Sequence, residues 1–118
     1  MIREDYVSFE TAKLLKEKGF DECTICSFDK DGNPKDILRP FIESDGDVRK
    51  PTLQMAMKWL REVHNIHIVM AAENNGNYIG YLYNTNGVNI QGWDRRLSKT
   101  SYEEACEAAI KYCLENLI

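Results

Sequence analysis

The chain has 118 residues, of which 43% are hydrophobic and 29% charged, and its formal net charge is −4. That length suits one domain spanning 1–118, since halves would be too small to bury a core each, and the composition excludes a disordered tract. Residues 1–50 carry nine basic and twelve acidic side chains and residues 51–118 carry six and seven. Neither half is the basic platform that general binding to a nucleic-acid backbone or an anionic membrane needs.

The opening Met1-Ile2-Arg3-Glu4-Asp5-Tyr6 mixes charges and leads into no apolar run, unlike a signal peptide. The longest apolar stretches, such as 66–72, are far too short to span a bilayer. A cytoplasmic setting is therefore expected, with the four cysteines kept as thiols. Ser8 is a natural N-cap for a first helix through Phe9, Ala12, Leu14 and Leu15, which Gly19 stops. Residues 22–28, rich in β-branched and aromatic side chains, read as a strand, and 29–34 as a turn. From 35 to 50 no period emerges; Ile37, Leu38, Phe41 and Ile42 are expected to pack, with a mobile tip at 44–47.

Thr52 caps the clearest helix, in which Leu53, Ala56, Met57, Leu60 and Val63 recur at spacings of three and four, with Met55 and Trp59 beside the stripe. A buried Trp59 would tie this helix to the last one near Tyr102. His64-Asn65 ends it, and a strand over 66–72 begins almost at once. A hairpin turn at 73–77, a strand over 78–83, a turn at 84–87 and a third strand over 88–91 follow. Gly80, among bulky neighbours, is placed to let a helix approach closely. Ser101 with Glu104 forms a capping box that opens the last helix, whose stripe is Cys106, Ala109, Ile110, Cys113, Leu114 and Leu117. The expected fold is α+β. It is a two-layer sandwich with a helix-strand-strand-strand-helix unit from about residue 52, both helices on one face of an antiparallel meander, plus an N-terminal helix and strand.

Motifs that carry chemistry are weak. Cys23 and Cys26 with His64 and His67 give zinc-like spacings, but residues three apart on a strand point to opposite faces, and the histidines straddle a helix end. Cys106 and Cys113 lie on a core stripe. Asp29-x-Asp31-x-Asn33 begins like a calcium loop, but its sixth position is Pro34 and its twelfth is Pro40. No nucleophile sits in a recognisable elbow, and no glycine-rich phosphate loop is present. The expectation is no catalytic, metal or cofactor site.

The remaining candidates are aromatic and basic. Tyr81, Tyr83 and Trp93, with Arg95, Arg96 and Lys99, form a possible interaction surface if the sheet face away from the helices is exposed. In topology the unit is similar to the double-stranded RNA-binding domain. In that family a basic cluster before the last helix grips phosphates, and 95–99 sits in the corresponding place. Here, however, that helix opens with Glu103-Glu104, which repel phosphate.

A second resemblance rests on Lys50-Pro51-Thr52, on Trp59-Leu60-Arg61-Glu62-Val63-His64-Asn65-Ile66-His67-Ile68, and on blocks at 7–21 and 101–105. These resemble a family of small proteins from gut Bacteroidetes, their mobile elements and phages. The family has no assigned activity, so the resemblance implies a setting and no catalytic residues. The expectation is a non-catalytic accessory protein acting through a protein partner or as a homodimer. A nucleic-acid-binding module and an enzyme of unknown class are the alternatives.

Overall fold

Among the described residues three helices begin where hydroxyl side chains satisfy first-turn amides that have no intrahelical acceptor. The computed structural model describes residues 4–22, 24, 26–36, 46–84, 86–91 and 94–118. In α1 (Phe9–Glu17) Ser8 Oγ accepts from the Thr11 N–H at 3.3 Å. In α2 (Leu53–His64) Thr52 Oγ1 accepts from the Met55 N–H at 3.1 Å. In α3 (Tyr102–Asn116) Ser101 Oγ accepts from the Glu104 N–H at 3.1 Å. Helix α2 stops at Asn65, whose left-handed conformation (φ 57°) turns the chain directly into the next strand.

The described strands form two antiparallel sheets of three. Strands β1 (Cys26–Phe28), β2 (Pro34–Asp36) and β3 (Val48–Lys50) are ordered β2-β1-β3. Strands β4 (Ile66–Ala72), β5 (Tyr78–Asn84) and β6 (Asn89–Gln91) form a meander, β4-β5-β6. A 3₁₀ turn at Arg95–Leu97 leads to α3. The chain is thus α+β, and the helix-strand-strand-strand-helix unit from α2 to α3 is present.

The register of β4 on β5 decides which residues meet the helices. Ile68 pairs with Leu82, Met70 with Gly80 and Ile66 with Asn84. Ile66 and Leu82 are buried in one cluster with Leu60, Ala109 and Ile110, so this is the helix-covered face. A Cβ on Gly80 would stand 3.0 Å from the Ala109 Cβ, so glycine there lets α3 lie close on the sheet. By alternation His67, Val69 and Ala71, opposite Tyr83, Tyr81 and Ile79, point to the other side. The N-terminal half joins the same core: Leu15, Phe20, Phe28 and Val48 belong to the cluster that holds Leu82 and Leu114.

Three details differ from the sequence reading. Val63 is 55% exposed and does not belong to the α2 core stripe. It lies in the last turn of α2, where with Met55 and Trp59 it lines a surface groove instead of entering the core. Trp59 is buried at 6%, yet its partners are Phe20 (5.5 Å) and His64 (4.7 Å), while Tyr102 packs edge-on against Tyr78 at 6.0 Å. Trp59 therefore ties α2 to the segment after α1 instead of to α3. Within 34–50 neither β2, which starts inside the expected turn, nor β3 was foreseen: three residues are too few to show a period, and the pairing of β3 with β1 is long-range. Ile37, Leu38, Phe41 and Ile42, the first half of the tip at 44–47, and Cys23 lie outside the described residues, while Asp47 of that tip is buried at 3% and is no mobile loop end.

Candidate functional site

The two halves of the expected interaction surface are placed on different sides of the meander. Tyr81 and Tyr83 stand half-buried on the face away from α2 and α3, beside His67 and Val69, which is 50% exposed. Arg96 turns toward α3, with its guanidinium 5.6 Å from the centre of the Tyr112 ring. Lys99 pairs through its backbone with Tyr78 and lines a groove on the α3 side with Glu103 and Glu104. Arg95 is exposed. Trp93 lies outside the described residues.

Of the three basic residues, Arg96 is held in an ion pair. Arg96 Nη2 donates to Asp94 Oδ2 at 2.7 Å and its Nε to Oδ1 at 3.1 Å. These hydrogen bonds lower the Asp94 carboxyl below its usual range and raise the guanidinium further. The groove holding Lys99 has a volume of about 540 Å³ and is lined by Asp5, Glu103, Glu104 and Glu107 against Lys99 and Lys111, with Leu53 and Tyr6 beside them. Its sign is wrong for phosphate. At its far side Glu107 is occupied: Oε1 accepts from the Ser8 N–H (3.0 Å), the Ser8 hydroxyl (2.6 Å) and the Thr11 hydroxyl (2.6 Å). That carboxylate from α3 caps α1, where the amide dipoles favour a negative charge.

The histidines and cysteines are dispersed. His64 is at the end of α2 against Trp59, with Nε2 buried and lacking a hydrogen-bond partner. His67 is on the outer face of β4, so the two rings are on different sides of the sheet. Cys26 is buried in β1. Burial pushes the Cys106 thiol up to about 11 and the Cys113 thiol up to about 12, which keeps both protonated and unreactive at neutral pH. Among the described residues, no group of three His, Cys, Asp or Glu side chains could hold a metal ion. No described helix is long and apolar enough to cross a membrane.

What stands out instead is the absence of charge across the whole meander. Between Val63 and Trp93, Glu73 is the one residue with a formal charge, in a chain with 15 basic and 19 acidic side chains. Glu73 accepts a short hydrogen bond from the Ser98 hydroxyl, next to the Asn77 turn. The outer face is therefore neutral; it is open at His67, Val69, Tyr81 and Tyr83, whereas Ile79 on the same face is fully buried. Strand β4, at the edge of the sheet, has no charge, proline or bulge over seven residues. This signal was open to inspection in the sequence. It was hidden because motif reading looks for reactive residues and not for a gap in charge.

No family model, no curated protein and no solved structure matches the chain.

Proposed function

We propose that the protein is a non-catalytic accessory or interaction protein of a bacterial, phage or mobile-element genome, and that it binds its partner through the β4-β5-β6 sheet. The observation that carries this reading is the neutral sheet, with Val69, Tyr81 and Tyr83 on the face its own helices leave uncovered. Uncharged, partly apolar surface in an otherwise highly charged chain is the composition of an interface core, where charged residues are depleted and tyrosine enriched. The arrangement of the cations supports a protein partner over a nucleic acid. Arg96 is held by Asp94, and Lys99 shares its groove with Glu103 and Glu104.

A photo-crosslinking amino acid placed at Tyr81, at Tyr83 or, as a control, at exposed Lys58 on α2 tests the assignment. Protein adducts are expected from the two sheet positions and not from Lys58. Equal labelling from all three would remove the sheet from consideration. A short RNA duplex at low salt is expected to leave the protein's elution unchanged. A salt-dependent shift that disappears in Arg95→Ala/Arg96→Ala would instead favour the nucleic-acid alternative.

A further inference from the structure

We infer that the partner of this sheet is a second copy of the chain, joined by antiparallel pairing of β4 with its own mate about a two-fold axis at Val69. This rests on the sheet being the interaction surface, uses its β4 edge in place of the Tyr81 and Tyr83 face, and adds the identity of the occupant and its register.

The backbone of β4 sets the geometry. At the hairpin end the Glu73 N–H donates to Asn77 O at 2.7 Å. Hydrogen-bonded pairs alternate along an antiparallel ladder, so His67, Val69 and Ala71 direct their N–H and C=O groups to β5. Those of Ile66, Ile68, Met70 and Ala72 point to the open edge, where no described strand pairs with them. On the other side of β5, Tyr78 bonds outward to Lys99, as the same alternation requires.

Edge strands are ordinarily protected from pairing by charge, proline or a bulge. Strand β4 has none of these over Ile66–Ala72. It is also self-complementary about its midpoint. A two-fold axis at Val69 sets Ile68 opposite the mate's Met70 and Ile66 opposite the mate's Ala72. Every outward-pointing residue then meets another outward-pointing one, and complete hydrogen-bonded pairs form. Val69 meets its own copy as a non-hydrogen-bonded pair, the closer kind, with Cα atoms ~4.5 Å apart. Its side chain, 50% exposed, packs beside its own copy on the outer face. Two chains of net charge −4 approach without like charges at the seam, because the strand carries none.

The burial gradient along β4 fits the same arrangement. On the helix side Ile66, which follows α2, is buried, whereas Ile68 and Met70 are only half-buried. Antiparallel pairing brings the mate's Ile66, and with it the exposed Val63 that ends the mate's α2, toward the less covered Met70 end. A ladder of seven residues buries less than the roughly 800 Å² per partner of a standard interface. The association is therefore expected to be weak, at roughly micromolar concentrations.

Sedimentation equilibrium of the whole chain, with charge-reversed variants at Val69, tests this. The wild type is expected to rise from 13.7 kDa toward a dimer as concentration increases. Val69→Lys and Val69→Glu, each placing like charges face to face across the axis, are expected to raise the dissociation constant by roughly tenfold or more. An equimolar mixture of the two is expected to restore the dimer, which also shows that both variants fold. Val69→Cys in a Cys23→Ser background is expected to form a disulfide-linked dimer on oxidation, since the separation at a non-hydrogen-bonded pair suits that bond. A wild type that stays monomeric to about 1 mM, or a dimer indifferent to both charged variants, overturns the self-pairing. If such a monomer still gives adducts to a different protein from Tyr81 and Tyr83, the interaction-protein reading stands and only the second copy is discarded.

Discussion

The two three-stranded sheets are built on opposite terms. In β2-β1-β3 every strand has three residues, charged residues occur in both outer strands, and the central strand comes first in the chain. In β4-β5-β6 two strands have seven residues, neighbours in sequence are neighbours in space, and no strand carries a formal charge. The first sheet owes its position to tertiary contacts: Phe28 meets Phe9 of α1 edge-on at 5.3 Å, and Arg49 Nη1 donates to Glu22 O at 2.7 Å. The second has a continuous ladder of its own. What the contrast teaches is that the self-sufficient sheet is also the one whose surface lacks the charge that keeps sheets apart.

The largest effects should come from asking whether the sheets share one core. Leu82→Ala in β5 and Phe28→Ala in β1 each remove a buried side chain from the common cluster, and each is expected to lower stability by about 2–5 kcal/mol. Both should move a single urea transition. If Phe28→Ala loosened only the N-terminal sheet while the main transition stayed in place, the two sheets would be independent folding units.

Gly80→Val sharpens the account of the second sheet. The Cβ it adds lies 3.0 Å from the Ala109 Cβ and 3.3 Å from Ile68 Cγ2 and Met70 Sδ, so α3 must shift. A loss of about 1–3 kcal/mol is expected, read as a lower thermal midpoint. An unchanged midpoint would mean that the contact between α3 and the sheet is looser than the geometry indicates.

Glu107→Ala probes the joint between the two halves. It strips the acceptor from the Ser8 amide, the Ser8 hydroxyl and the buried Thr11 hydroxyl, for an expected loss of about 1–3 kcal/mol. Hydrogen exchange should quicken at the first turn of α1 and leave β4 and β5 unaffected. Faster exchange across the meander would show that the cap supports both halves.

The smallest effect is confined to alkaline solution. Cys106 and Cys113 have thiols raised by burial from 9.0 to about 11 and about 12. A raised folded value means the native state holds the proton more tightly. Their contribution is therefore complete below pH 9 and is lost as pH rises through about 11 for Cys106 and about 12 for Cys113. At pH 8 neither thiol should react with a disulfide reagent until the protein is unfolded; prompt reaction would contradict their burial on α3.

Much of the fold was legible wherever local patterns are self-contained. Ser8, Thr52 and Ser101 announce helix starts because a side-chain oxygen satisfies an amide three residues away, an interaction written entirely in nearby sequence. The turns at 73–77 and 84–87 separate strands that pair with their immediate neighbours, so the meander could be traced as well. Strand β3 could not, since it exists only by pairing with β1 some twenty residues earlier. The candidate surface was half legible. Tyr81 and Tyr83 could be assigned to one strand face from alternation, but Arg96 and Lys99 were joined to them by nearness in sequence. The 3₁₀ turn and the bridge to Tyr78 carry those cations to the α3 side.

By itself the sequence determined the helices, the hairpins, the buried stripe of α3 and the absence of charge from 63 to 93 apart from Glu73. Each of these follows from periods of two or 3.6 residues, or from composition alone. Tertiary structure decided that Trp59 meets Phe20 and that Val63 is left in solvent. It also decided that Glu107 caps α1 and that β4 ends the sheet with one side of its backbone open. The physical reason is that side-chain contacts between distant segments, and the position of a strand within a sheet, depend on how elements pack, and packing is fixed only when the whole core closes at once.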